Sequence, residues 1–184
     1  MEVTRVHVRA PAPADEAEFL AAMRASEEAH HPWNYPPTTD EGFARMLARA
    51  RDEQFESLLV CRAQDGAIVG YFNISNIIRG AFQSAFLGYG GVARHAGRGY
   101  MTEGLELVLA HAFGPLALHR LEANIQPANV RSIALVRRCG FVHEGFAANY
   151  LKIGGQWRDH EHYAIRAELW RARIAGPAAA GATR

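Results

Sequence analysis

The segment Arg94-x-x-Gly97-x-Gly99 combines residue types and a spacing that suit anion chemistry. Its glycines let successive backbone N–H groups turn towards one point without side-chain clash. An amphipathic run follows at once, with Met101, Leu105, Val108, Leu109 and Ala112 at helical spacing, so the turn lies at the positive end of a helix. Such a concavity suits a pyrophosphate. No Lys-Ser or Lys-Thr pair follows the glycines, which excludes a nucleoside-triphosphate loop, and the spacing is not that of a dinucleotide fingerprint. The competing reading is a plain glycine-rich connection. Upstream, Gly88, Gly90 and Gly91 interrupt an apolar strand. Glycine inside a strand marks a bulge or the close approach of another chain, so an amide-bearing ligand arm could pair with an opened edge here.

The elements that must position this loop are legible in outline. A strand is expected over 3–9, a helix over about 14–29 and a proline-rich loop from His30 to Pro37. Thr39 or Asp40 caps a second helix running to Arg51. Strands follow over 57–63 and 67–78, joined by the turn Gln64-Asp65-Gly66, and over 82–92. A helix over 98–113, a strand over 119–126 and a helix from Asn129 to Cys139, stopped by Gly140, come next. Strands over 142–152 and 157–167 flank a turn at 153–156. The order β-α-α-β-β-β-α-β-α-β-β predicts an α+β fold with a mixed, mostly antiparallel sheet of about seven strands. The strand-helix-strand unit from 83 to 126 is its one parallel crossover. One domain is expected over 1–174, with a disordered tail of Ala, Gly, Pro and Thr after it.

Composition narrows the function classes. The 184 residues, 49% apolar and 21% charged, describe one globular domain. A formal charge of +1 gives no global field towards nucleic acid or membrane. No apolar run reaches the length of a membrane span, and no targeting segment is evident, so a cytoplasmic location is expected. Cys61 and Cys139 are far apart, and His160 and His162 lack a third partner, so no metal site is expected.

These residues resemble the GCN5-related N-acetyltransferase (GNAT) superfamily. The resemblance lies in Arg94-x-x-Gly97-x-Gly99, in Tyr100-Met101-Thr102-Glu103, and in Asn129-x-x-Ser132 ahead of Cys139-Gly140-Phe141. It narrows to the RimJ-like ribosomal-protein-alanine N-acetyltransferase branch through the stretches 73–80, 87–89, 144–145 and 150–160. The resemblance implies the GNAT fold and acetyl-CoA as donor. It implies pyrophosphate on the backbone of His95, Ala96, Gly97, Arg98, Gly99 and Tyr100 beside Arg94, pantetheine along Gly90, Gly91 and Val92, and Asn129 on the pantetheine arm. It implies an amine acceptor, the N-terminal amine of a protein, in the best-known members of a ribosomal protein. Val136 stands where many relatives carry a tyrosine acid, and 82–92 holds none of the carboxylates common on that strand.

Acetyl transfer from a thioester needs a neutral amine, a donor for the developing oxyanion and a proton for the thiolate. An α-amine, with a pKa near 8, is about one-tenth neutral at pH 7, whereas lysine, at about 10.4, is roughly 3 kcal/mol worse. A site without a strong base therefore suits an N-terminal amine. The oxyanion donor is read as a backbone N–H near Val92. Ser132, one turn after Asn129, can donate to the thiolate; the competing role is completing the helix start. Tyr89 and Tyr150 could orient the amine through their hydroxyls. Glu103 is read as compensating the helix dipole rather than as a base. Acceptor-side candidates are Trp33, Asn76, Arg79, Asn149, Tyr150 and Trp157. The alternatives kept open are a small-molecule amine as acceptor and a CoA-binding sensor without turnover. A homodimer is the assembly considered.

Overall fold

The computed structural model describes residues 4–50 and 52–176. Its elements are β1 (Val6–Arg9), α1 (Glu16–Arg24), α2 (Glu27–His30), α3 (Asp40–Arg49), β2 (Phe55–Arg62), β3 (Ile68–Ile78) and β4 (Ser84–Gly91). They continue with α4 (Tyr100–Phe113), β5 (Arg120–Ile125), α5 (Val130–Arg138), β6 (Val142–Ile153), β7 (Gln156–Arg166) and α6 (Ala167–Ala175). The seven strands form one sheet in the order β1-β2-β3-β4-β5-β7-β6. Only β4 and β5 pair in parallel. That is the architecture expected from the alternation of strand and helix patterns. The proposed tail beyond Gly176 and the first residues of the expected strand lie outside the described residues.

The central strands are apolar on both sides because helices cover both faces. Val60, Phe72 and Leu87 pack on one face with Leu105, Val108 and Leu109 of α4 and Val136 of α5. Leu59, Cys61 and Tyr71 point to the other face and meet Phe19, Met23 and Phe43 of α1 and α3. Gly104 lets α4 lie close to the sheet: a Cβ there would stand 2.8 Å from Val60.

Three expectations need correction. The single helix over 14–29 is two, because Ser26 turns its hydroxyl back onto the Ala22 carbonyl at 2.7 Å and interrupts the ladder. The same oxygen accepts from the Ala93 N–H at 2.9 Å, anchoring the start of the phosphate turn to α1. The strand glycines make no bulge: β3 and β4 stay in register from Gly70↔Gly91 to Ser75↔Phe86. Gly90 instead clears space for Tyr71, whose ring would stand 2.7 Å from a Cβ there. Finally, α6 follows β7 directly. Its sequence has no apolar stripe, and it is held by Trp170 against Phe113, 5.7 Å between ring centres, and by Arg173 on Glu106, so periodicity could not reveal it.

Candidate active site

The sheet forks between β4 and β5. They pair at Ser84↔Arg120, Ala85↔Leu121 and Phe86↔Glu122 and no further. Beyond that point β4 stays with β3 up to Gly91, while β5 stays with β7 up to Ile125. A cleft of about 120 Å³ occupies the fork. Its walls include Gly88 and Tyr89 of β4, Asn124 at the end of β5, and Asn129 and Ser132 at the start of α5; His160 of β7 and Trp33 of the proline-rich loop complete it.

Strand register decides which backbone groups face the fork. The Val92 N–H donates to the Val69 carbonyl at 2.9 Å, so Val92, and with it alternate residues of β4, bonds to β3. Leu87, Tyr89 and Gly91 therefore present their N–H and C=O towards the fork. The Tyr89 carbonyl accepts from Asn34 Nδ2 at 2.7 Å, and the Gly91 carbonyl is 2.9 Å from His30 Nε2. The Val92 N–H itself is thus occupied. Donors on this edge come from Tyr89 and Gly91, and a ligand arm along β4 meets N–H groups rather than a full strand edge.

Tyr89 and Ser132 come together as the main hydroxyl pair of the cleft. The phenol and Ser132 Oγ share a short hydrogen bond. Burial pushes the Tyr89 phenol well above its usual pKa, with the Ser132 hydrogen bond acting in the opposite sense. It is therefore a proton donor or relay at neutral pH, not an anion. Ser132 also keeps its local role, its N–H donating to Asn129 Oδ1 at 3.2 Å and closing the start of α5. Cys139 is buried, its thiol pushed up to about 12 by burial above all. Val136 is wholly buried in the core and takes no part in the cleft.

The glycine turn ahead of α4 opens towards the helix end. Val92 leads into a 3-10 turn at Ala93–His95, and Gly97 and Gly99 both hold left-handed backbone, φ +74° and +83°. Gly99 is the residue before α4, so the first N–H groups of α4 face out of the helix end. Nothing lies within 4 Å of a Cβ at Gly97, which leaves the concavity open. Arg94 and Arg98 flank it; burial above all, then Arg94, Arg62 and Arg98, holds the His95 imidazole below its usual pKa, hence neutral. Glu103 is turned away, accepting from the Arg5 N–H at 3.0 Å and from its Nε at 2.7 Å, so it ties β1 to α4.

The acceptor-side candidates divide. Trp33 lines the cleft. Tyr150 stands behind it, its ring edge-on to His160 at 5.9 Å and to His162 at 4.6 Å between centres. Asn76 and Arg79 are not brought to the cleft: they lie at the far end of β3, where Arg79 binds the Leu116 carbonyl. Asn149 is exposed in an irregular part of β6, its N–H on Asp159 at 2.8 Å, and Trp157 is exposed at the hairpin end. Sequence reading missed Asn34, Asn124, Gln126 and His160, which all line the cleft. Their polar character was visible; their convergence was not. Asn34 Oδ1 and Asn124 Oδ1 are buried and lack a partner among the described residues. Among those residues, too, no cluster of His, Cys, Asp or Glu is placed to hold a metal ion.

Comparison with known proteins agrees with this geometry. The family model described as an acetyltransferase (GNAT) domain matches residues 5–142. The chain is 41% identical over 115 residues to the Bacillus subtilis protein named Probable N-acetyltransferase YjcK, covering 62% of this chain and 63% of that one. It is also 41% identical over 103 residues to the [Ribosomal protein uS5]-alanine N-acetyltransferase of Escherichia coli, covering 56% and 53%. The matches thus span between half and two thirds of those relatives. The structure of Mycobacterium smegmatis RimJ in complex with CoA-disulfide superposes with a TM-score of 0.81 at 31% identity, over 89% of this chain and 82% of that one.

Proposed function

The chain belongs to the GNAT acetyltransferase family, and on that premise we propose that it moves an acetyl group from acetyl-CoA to the α-amine of a protein N-terminus. The observation that carries the acceptor is the polarity of the cleft. Asn34 Nδ2 is committed to a carbonyl, which fixes Oδ1 as an acceptor, and that oxygen is buried without a donor. A ligand bearing N–H groups satisfies it. Among the described residues no Asp or Glu lines the cleft, which disfavours a polycation.

On this reading the residues divide the work. Backbone N–H groups around Gly97 and at the start of α4 hold the diphosphate, with Arg94 and Arg98 beside it. Asn129 and the N–H groups of Tyr89 and Gly91 steer the pantetheine arm and the thioester oxygen. The thioester supplies an activated acyl carbon. The Tyr89–Ser132 hydroxyls supply the proton that the departing sulfur needs. Trp33 and Asn34 wall the side from which the amine arrives.

A thiol-release assay tests the acceptor. Peptides beginning with Ala or Ser should turn over, the same peptides with blocked N-termini should not, and spermidine should be at least tenfold poorer. Equal use of blocked peptides or of spermidine would overturn the proposed acceptor.

A further inference from the structure

We infer that His160 is the general base that takes the proton from the acceptor amine, an inference that rests on the acetyl-transfer reading above. Of the described residues lining the cleft, only Tyr89 and His160 are titratable. The Tyr89 phenol is held protonated and engaged with Ser132, which leaves His160.

The geometry gives this imidazole a fixed tautomer. Nδ1 lies 2.9 Å from the Arg158 carbonyl, which can only accept, so the proton of the neutral ring is on Nδ1. Nε2 then carries the lone pair, and it has no hydrogen-bond partner among the described residues. The residue is only 3% exposed and lines the cleft, and Nε2 is not among the fully buried unpaired atoms. Burial above all holds the ring below its usual pKa and so neutral; the Arg158 carbonyl opposes it, and His162 lowers and Asp159 raises it by less. Tyr150 of β6 lies edge-on to the ring, and Tyr89 and Ser132 face it across the cleft. A neutral imidazole anchored at one nitrogen and open at the other is the arrangement a general base requires.

The protons balance. Nε2 takes one proton from the R–NH3+ acceptor, and the resulting amine attacks the acyl carbon, forming the C–N bond. As the C–S bond breaks, the nitrogen loses a second proton, and the sulfur gains one through the Tyr89–Ser132 hydroxyls. The imidazolium returns its proton to water. The products are the amide, CoA thiol and one proton.

The test is the pH profile of kcat/KM for an Ala-starting peptide in wild type and H160Q, with CoA affinity measured alongside by calorimetry. With the base present, the protonated amine is the reactive partner, so the wild-type profile should be nearly flat between about pH 6.5 and 8. H160Q must wait for the free amine, so its rate should rise about tenfold per pH unit towards pH 8. The deficit should be on the order of 100-fold at pH 6.5 and shrink above pH 8. CoA affinity should change less than threefold. Imidazole added to H160A should restore turnover at least tenfold, which a merely structural histidine would not allow. Parallel profiles for wild type and H160Q, or no rescue, would overturn the role of His160 while leaving acetyl transfer intact. Wild type that binds CoA but releases no thiol with any amine would overturn both.

Discussion

Tyr89 on β4 and Ser132 on α5 share a hydrogen bond across the fork of the sheet, although 43 residues separate them. The pair joins β4 to a helix whose cap, Asn129, lies beside the same cleft. If it protonates the departing thiolate, S132A and Y89F should each lower kcat by roughly 10–100-fold. CoA affinity should stay within about threefold, and the double variant should be little worse than either single one, because the hydroxyls act as a unit. Stopped-flow thiol release with calorimetry of CoA binding checks this. Equal losses in kcat and affinity would make Ser132 a binding residue only.

Gly97→Val tests the phosphate turn. The backbone there is left-handed, so a β-branched residue costs roughly 1–2 kcal/mol of stability. A Cβ there meets no heavy atom within 4 Å, so the side chain enters the open concavity. CoA Kd should rise by more than tenfold while the domain stays folded. Calorimetry and thermal melting, compared with Gly97→Ala, separate the two effects.

An acid-sensitive tie at the start of the fold gives a third test. Asp15 is buried and accepts from Arg9 at 2.7 and 2.6 Å and from the Ala12 N–H at 2.7 Å, which holds its carboxyl below the usual value of 3.8. A depressed folded pKa means its contribution is present above about pH 4 and is lost as pH falls through the folded value. Asp15→Asn should therefore cost about 1.5–3 kcal/mol near neutrality and flatten the acid limb of stability in urea titrations. An unchanged acid limb would remove Asp15 from the account.

What the sequence revealed and what it hid divide along the range of the interactions. The Asp65-Gly66 turn, the Thr39 cap and the α4 stripe are local signals, and each stands where its pattern placed it. The cleft is different. His160 sits in an alternating strand, and alternation says which face a side chain takes but not what lies opposite. That depends on β7 slotting between β5 and β6, out of sequence order, and on the His30–Pro37 loop folding over β4. Arg79 misled for the converse reason: a charged side chain beside a glycine looks functional, yet it binds the carbonyl of the α4–β5 turn.

On the proposed reading Trp33 walls the acceptor side. Its loop is held over β4 by Asn34 and His30, and Gln126 reaches the Pro32 and Trp33 carbonyls at 3.4 Å. Trp33→Ala should raise the KM for peptide by about tenfold or more and leave CoA affinity unchanged, as steady-state kinetics with each substrate varied would show.

The central claim is that the fork delivers acetyl to an α-amine. Incubating the protein with acetyl-CoA and a peptide carrying both an N-terminal alanine and an internal lysine, then locating the acetyl group by fragment-ion mass spectrometry, tests it directly. The account predicts acetylation confined to the first residue. Acetyl on the lysine alone, or a peptide returned unmodified, would contradict it.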